Sequence, residues 1–150
     1  MNKTYFYDTS GLIKLYHQEL GTEWVERIFN DKNNTIIISE LSTVEFYSTL
    51  AKKVRMQEIT KEAKEEALKN FHKDCRERFI INPLDAGTIK KAKEIIGSYG
   101  ETKSIKSLDA LQLAACILEN EEIEFVCADV KLIEIAELEG IEGVNPEAKN

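Results

Sequence analysis

Four acidic residues stand where a carboxylate could take part in chemistry. Asp8 directly follows the segment KTYFY, and Asp129 directly follows the segment EFVCA. Asp109 lies at the start of the most apolar helical segment, and Glu45 lies beside the apolar positions of another. Carboxylates gathered in one cleft repel each other unless a cation lies between them. Oxygen ligands of this type suit Mg²⁺ and Mn²⁺, and two such ions about 3.5–4 Å apart commonly promote phosphodiester hydrolysis.

Each of these residues also has a purely structural explanation. Asp8 and Asp129 are both placed to cap the N-terminus of a following helix. Asp109 could interact only with a helix dipole, and Glu45 could be one of many surface glutamates. Taken one at a time, the structural roles are the simpler explanation. Together, carboxylates on four separate elements favour a shared cation site.

The sequence motifs of several other common active sites are absent. The chain contains no GxxxxGK[ST], GxGxxG or GxSxG motif, which disfavours P-loop, dinucleotide-binding and α/β-hydrolase sites. His17 and His72 lie on predicted helices without a matching ligand set, so we predict surface or packing roles for them. Cys75, Cys116 and Cys127 are odd in number and widely spaced, which fits neither a disulfide framework nor a zinc knuckle. We therefore expect a reducing, cytoplasmic setting.

Strand-like and helix-like segments alternate along the chain. Alternation of this kind predicts βα units, a parallel sheet and helices on both of its faces. Since ligands bind at the carboxyl ends of parallel strands, Asp8 and Asp129 are expected at one crevice. Strands are predicted at 3–7, 35–39, 79–82, 124–128 and 141–144, and helices at 12–17, 23–29, 41–54, 60–76, 89–96, 108–118 and 129–138.

Two of these helices carry the remaining carboxylates. The helix over 108–118 is apolar almost all round and is predicted to be buried. On the helix over 41–54, an approximate 3.6-residue repeat predicts that Leu41, Val44, Ala51 and Val54 face the core, with Glu45 beside them.

Length and composition predict one globular domain over residues 1–150. The 43% hydrophobic and 31% charged fractions exclude a disordered chain, and no apolar run approaches the roughly 20 residues of a membrane span. No secretory signal pattern is visible, so no membrane association is expected.

The charge is unevenly distributed. The net charge is −7, and residues 109–150 hold eleven acidic residues against two basic ones. Residues 46–107 hold fourteen basic and nine acidic residues. This local excess of positive charge would allow a basic face that binds RNA. A solvated helix face, with Glu62, Glu65 and Glu66 as partners, explains these charges equally well. The basic candidates are Lys52, Lys53, Arg55, Lys61 and Lys64.

Four sequence blocks together resemble the PIN-domain nucleases, and in particular the VapC-type ribonuclease toxins. They are YDTSGLIKLY at 7–16, SELSTVEFYSTLAK at 39–52, IKSLDALQLAA at 105–115 and FVCADVKLIEIAELEGIEGVNP at 125–146. No single block is specific, but their order and spacing cover nearly the whole chain. The fold implied by the resemblance is a three-layer αβα PIN-like fold, with a central parallel sheet and helices on both faces.

The resemblance also implies an activity, namely metal-assisted endonucleolytic cleavage of RNA that leaves a 5′-phosphate and a 3′-hydroxyl. The family's acidic residues correspond to Asp8, Glu45, Asp109 and Asp129, which would hold Mg²⁺, with Mn²⁺ as a substitute. Its small hydroxyl residue corresponds to Ser10, which would orient a carboxylate or a water. The implied protein partner is an antitoxin that wraps the toxin, and we also expect a homodimer.

Two positions depart from the family pattern. Many relatives carry Thr where this chain has Cys127, and many carry His where it has Gln112. Neither position is an acidic ligand, but both could change hydrogen bonding around Asp129 and Asp109. Gln112 lies on the same helix face as Asp109, and its simplest role is that of a lone polar residue at the solvent edge.

Three alternative functions remain open at the sequence level. A PIN-domain nuclease could process RNA without any antitoxin. A non-catalytic module that binds RNA or protein is disfavoured because all four acidic positions are filled. A phosphatase or receiver domain is disfavoured because Ser10 stands where a second aspartate would be required.

Overall fold

The fold is seen in a computed structural model, which describes residues 2–119 and 121–149. Five strands and seven α-helices alternate in this part of the chain, with short 3-10 turns at Ile13–Leu15 and Pro146–Ala148. None of these helices is long and apolar enough to cross a membrane. The strands are β1 (Thr4–Tyr7), β2 (Thr35–Ser39), β3 (Ile80–Asn82), β4 (Glu124–Val126) and β5 (Glu142–Val144). The helices are α1 (Thr9–Leu12), α2 (Thr22–Asn30), α3 (Glu40–Arg55), α4 (Lys61–Glu77), α5 (Ala86–Tyr99), α6 (Ser107–Ile117) and α7 (Val130–Leu138).

All strand pairings in the sheet are parallel, and the strand order is β3-β2-β1-β4-β5. Successive side chains of a strand point to opposite faces, so Phe6 joins the core beneath α5, α6 and α7, whereas Tyr5 and Tyr7 join the core beneath α2, α3 and α4. The predicted three-layer αβα fold with a parallel sheet is therefore confirmed.

The predicted core face of α3 is wrong. Val44 is 67% exposed, while Ser42, Phe46 and Leu50 face the interior. The buried residues recur every four positions and include the largest apolar side chain of the helix. The Phe46 ring stacks on Phe71 of α4 at a centroid distance of 4.0 Å. Burying this aromatic surface outweighs burying the smaller Val44, so the helix is rotated away from the predicted orientation.

Several predicted boundaries also shift. The first helix begins earlier than predicted, at Thr9, and its second part is a 3-10 turn. Thr60 caps α4 and Asp85 caps α5. The helix predicted over 89–96 is longer than predicted, because it begins at Ala86 directly after its cap and continues to Tyr99, with Gly100 as its C-cap.

Candidate metal centre and active site

All four predicted carboxylates line one cleft at the carboxyl end of the sheet. Asp8 follows β1, and Asp129 follows the neighbouring strand β4 by three residues. The first turn of α6 contributes Asp109, and the second turn of α3 contributes Glu45. The cleft has a volume of about 420 Å³. It is lined by Asp8, Thr9, Ser10, Ile13, Lys14, Glu19, Glu45, Thr49, Lys53, Asp109, Gln112, Ala128, Asp129 and Glu147.

Asp8 is held in place by the elements on both sides of it. The residue is 5% exposed, and its Oδ1 accepts hydrogen bonds from Ser10 Oγ at 2.6 Å and from the Gly11 backbone N–H at 3.0 Å. Ser10 Oγ in turn accepts a hydrogen bond from the Ala128 N–H at 3.0 Å, which ties the loop before α7 to the start of α1. Asp8 therefore caps α1, and Ser10 orients its carboxylate.

Burial dominates the ionisation of Asp8. Loss of water raises the pKa of its carboxyl to about 6, and the nearby charge of Asp109 acts in the same direction. Hydrogen bonds from Ser10, the Cys127 thiol and Gly11 favour the charged form but do not cancel this effect. The ionised Asp8 is thus only partly compensated by protein groups, and a nearby cation would stabilise it further.

Glu45 takes part in a hydrogen-bonded network of polar side chains. Its Oε1 accepts hydrogen bonds from Thr9 Oγ1 at 2.7 Å and from Gln112 Nε2 at 2.8 Å. Gln112 is 2% exposed, so it is not at the solvent edge of its helix. The sequence signal for this contact is a single amide inside the apolar run LQLAA, three residues after Asp109.

Asp109 and Asp129 complete the acidic side of the cleft. Burial raises the pKa of the Asp109 carboxyl, and the charges of Asp129 and Glu45 raise it further, while Lys106 partly opposes them. Asp129 caps α7, because its Oδ1 accepts hydrogen bonds from the Lys131 N–H at 2.9 Å and the Leu132 N–H at 3.4 Å. The predicted capping roles of Asp8 and Asp129 therefore coexist with their position at the cleft.

The opposite side of the cleft contains an ion-pair cluster that the sequence analysis missed. Lys14 is 1% exposed, and its Nζ contacts Glu19 Oε1 at 2.9 Å and Glu147 Oε2 at 2.7 Å. Burial alone would lower the pKa of Lys14, but its bonds to Glu147 and Glu19 outweigh that effect and raise it. Lys53 lies 3.6 Å from the second oxygen of Glu19. The only sequence signal was a lysine within the apolar segment LIKLY.

The five basic candidates are not equivalent in the structure. Lys53 lines the cleft, whereas Lys64 Nζ lies 3.4 Å from Oε1 of the adjacent Glu65. Lys52, Arg55 and Lys61 are exposed.

The donor set at the acidic side suits a hydrated Mg²⁺ or Mn²⁺ ion. All four side chains offer carboxylate oxygens, and burial with mutual repulsion raises the pKa of both Asp8 and Asp109. Among residues 2–119 and 121–149, no three or more His, Cys, Asp or Glu side chains are placed so that together they could hold a metal ion. Mg²⁺ normally keeps several waters and uses one or two carboxylates together with substrate phosphates, so such a group is not required.

Fold and site together define an α/β domain with an acidic cleft at the carboxyl edge of its parallel sheet. Residues 5–138 match the sequence model of the PIN domain, so the chain belongs to the PIN domain family. This confirms the family resemblance. No curated protein sequence is significantly similar to the chain.

Solved structures with the same fold include a toxin–antitoxin complex from Klebsiella pneumoniae, similar at 20% identity and a TM-score of 0.60 over 95% of this chain and 97% of that one. VapBC2 from Rickettsia felis, bound to a DNA fragment from its promoter, is similar at 20% identity and a TM-score of 0.70 over 95% of this chain and 98% of that one. VapC20 of Mycobacterium tuberculosis, a toxin that cleaves the sarcin-ricin loop, is similar at 17% identity and a TM-score of 0.66. The match covers 94% of this chain and 98% of VapC20. FitAcB from Neisseria gonorrhoeae is similar at 15% identity and a TM-score of 0.62. The match covers 97% of this chain and 98% of that one.

Proposed function

We propose that this protein is an endoribonuclease that depends on Mg²⁺ or Mn²⁺. The observation that carries the proposal is the convergence of Asp8, Glu45, Asp109 and Asp129 on one cleft. None of the four forms a salt bridge with a basic side chain of the described residues, although Glu19 and Glu147 in the same cleft do. The PIN domain match and the fold shared with an RNA-cleaving toxin support the same conclusion.

The four acidic residues would hold the cation, with Asp8 as its main anchor. When bound, Mg²⁺ or Mn²⁺ lowers the pKa of an attacking water and stabilises the charge that develops on the scissile phosphate. Asp8 is fixed for this role by Ser10 and Gly11, while Glu45 is fixed by Thr9 and Gln112. Ser10 therefore acts on Asp8 rather than on the substrate.

Lys53 is the basic candidate best placed to contact the RNA backbone. Glu45, Thr49 and Lys53 lie four residues apart on α3, and all three line the cleft. An i, i+4, i+8 spacing places side chains along one helix face, so a strand bound at the carboxylates can continue past Lys53. Its contacts with Glu19 and Glu58, at 3.6 and 3.4 Å, are long enough to be exchanged for a phosphate.

A cleavage assay tests the nuclease proposal. The purified protein should cut a mixed RNA substrate in Mg²⁺ or Mn²⁺, stop in EDTA, and leave 5′-phosphate and 3′-hydroxyl ends. Asp8→Asn should abolish cleavage, whereas Glu134→Gln, the same kind of change at an exposed residue of α7, should not. Cleavage that survives both EDTA and Asp8→Asn would contradict the proposal. Binding of RNA without cleavage would favour the non-catalytic module.

We further propose that the nuclease is the toxin of a toxin–antitoxin pair. VapC20 is a toxin, and a toxin–antitoxin complex from Klebsiella pneumoniae shares the same fold. The acidic cleft also offers charge complementarity to a basic antitoxin side chain. Expression of the chain alone should slow growth of a bacterial host, and Asp8→Asn should relieve the effect. Normal growth with abundant, folded and RNA-cleaving wild-type protein would instead favour an RNA-processing nuclease without an antitoxin.

We also propose a homodimer. Val44 of α3 is 67% exposed, and Leu84, 37% exposed, donates its backbone N–H to Glu40 one turn before Val44. Two exposed apolar side chains thus lie on segments that this hydrogen bond joins, and a second copy would cover them. Sedimentation should show a dimer that Val44→Asp converts to a monomer, whereas a monomeric wild type would exclude it.

A further inference from the structure

Four polar side chains from three helices form a closed hydrogen-bonded ring beside the cleft. Thr9 is in α1, Ser42 and Glu45 are in α3, and Gln112 is in α6. Gln112 Nε2 lies 2.8 Å from Glu45 Oε1 and 2.9 Å from Ser42 Oγ. Thr9 Oγ1 lies 3.0 Å from Ser42 Oγ and 2.7 Å from Glu45 Oε1.

The chemistry of Glu45 fixes the direction of every bond in this ring. An ionised carboxylate can only accept, so Thr9 must donate its hydroxyl hydrogen to Glu45. Ser42 must then donate to Thr9, and Ser42 in turn accepts from Gln112. Gln112 Nε2 also lies 3.2 Å from Thr9 Oγ1, but its two hydrogens go to the two nearer acceptors, Ser42 Oγ and Glu45 Oε1. A flipped amide would place Gln112 Oε1 against the carboxylate, so only one orientation fits.

This orientation leaves one polar atom of Gln112 unsatisfied. Gln112 Oε1 is buried and has no hydrogen-bond partner within the described residues. A buried acceptor without a partner destabilises the folded state. An apolar side chain of similar length would avoid that cost, so stability alone does not explain the amide.

We propose that Gln112 is a positioning residue, which holds the Glu45 carboxylate in the orientation needed to bind a divalent cation. This inference rests on the proposed metal-dependent function. Both hydrogen bonds fall on Glu45 Oε1, and Oε2 accepts none from the described residues. The ring thus occupies one carboxylate oxygen and presents the other to the cleft. Hydrogen bonds that orient a metal ligand typically change affinity about 10- to 100-fold when they are removed.

Gln112→Met tests the inference, because Met has nearly the same length but no donor. Titration with Mn²⁺ alone should show affinity about tenfold weaker than wild type. The melting temperature of the metal-free variant should be unchanged or higher, since the unsatisfied oxygen is removed. Gln112→His, which retains one N–H donor, should recover part of the affinity. Leu113→Met, a similar change at the next buried position of α6, should leave the affinity unchanged.

The outcomes separate this inference from the proposed function. Equal Mn²⁺ affinity of wild type and Gln112→Met, with or without a lower melting temperature, would overturn the positioning role while the metal site stands. A wild type that binds no Mn²⁺ would overturn both. If Gln112→Met does not fold, Ser42→Ala offers a second test. It removes the hydroxyl that bonds to both Gln112 and Thr9, the two residues that donate to Glu45. It should also weaken Mn²⁺ affinity, and unchanged affinity in a folded Ser42→Ala protein would overturn the inference.

Discussion

Both sides of the cleft contain carboxylates, but only one side pairs them with lysine side chains. On one side, Glu19 and Glu147 are both bonded to the buried ammonium group of Lys14. On the other side, burial and neighbouring carboxylates raise the pKa of both Asp8 and Asp109, and no lysine or arginine of the described residues forms a salt bridge with them. The difference teaches that the number of acidic residues does not identify a cation site. Our proposal of a cation site therefore depends on whether a lysine or arginine of the described residues already neutralises the carboxylates, as well as on their number.

The largest expected contrast between the two sides is in catalysis. Asp109→Asn should lower RNA cleavage at least ~100-fold, since loss of a ligand should cost no less than loss of a group that orients one. Glu147→Gln, which neutralises an acid on the paired side, should stay within a few-fold of wild type. Initial rates at saturating Mg²⁺ measure both variants. Equal losses of cleavage rate in the two variants would show that a salt bridge to lysine does not distinguish structural carboxylates from metal-binding ones.

The second contrast is in the response of stability to metal. Mn²⁺ at a hundredfold excess over its dissociation constant should stabilise the wild type by about 2.7 kcal/mol. Asp109→Asn should gain less, and in EDTA it should be at least as stable as wild type because a repelling charge has been removed. If Asp109 merely serves the helix dipole, the variant instead loses ~0.3–1 kcal/mol and metal changes nothing. Thermal melts of both proteins with and without Mn²⁺ decide between these cases.

The third contrast concerns the paired side alone. Lys14→Met keeps most of the buried apolar volume but leaves Glu19 and Glu147 without their shared cation. We expect the free energy of unfolding to fall by about 2 kcal/mol, less than for a fully buried pair, because both glutamates keep some contact with water. Lys131→Met, at an exposed position of α7, should change it by less than about 0.5 kcal/mol. Urea unfolding in EDTA compares them, and a stable Lys14→Met variant would show that the cluster is not structural.

The smallest expected effect is a pH dependence confined to the unpaired side. The pKa of Asp8 is about 6 in the folded protein, against an ordinary value of 3.8, so the folded state holds this proton more tightly. This contribution to stability is present below about pH 4 and is lost as the pH rises through 6. From about pH 5 to about pH 7 the loss attributable to Asp8 should be roughly 1 kcal/mol. Denaturant melts in EDTA should show this loss in the wild type and not in Asp8→Asn, and identical pH profiles would count against the raised pKa.

Much of the fold and the acidic residues of the cleft follow from local sequence signals. Apolar segments at regular intervals predicted the parallel sheet, and the carboxyl ends of parallel strands share one edge, which brought Asp8 and Asp129 together. The orientation of α3 did not follow, because the positions of Phe46 and Val44 give competing apolar repeats. Packing against Phe71, on another helix, decides between them.

The contacts that orient and neutralise carboxylates in the cleft could not be predicted from the sequence, for a different reason. Gln112 meets Glu45 across 67 residues of sequence, and Lys14 meets Glu147 across 133. A polar residue within an apolar segment shows that a partner is needed, but periodicity does not show which residue supplies it. Such pairs become visible only once the three-dimensional arrangement of the helices is known.

The strand order has a consequence for how the chain is made on the ribosome. β1 lies at the centre of the sheet, yet one of its two neighbours is β4, and Tyr5 is in register with Glu124. A growing chain therefore leaves one edge of β1 unpaired until β4, more than a hundred residues later, has been synthesised. Asp8 and Glu45 emerge early, while Asp129 and the Ala128 bond to Ser10 come late. Translation that stops before β4 thus yields a fragment with an incomplete acidic cleft, so the activity we propose would begin only after β4 and the loop that carries Asp129 have emerged.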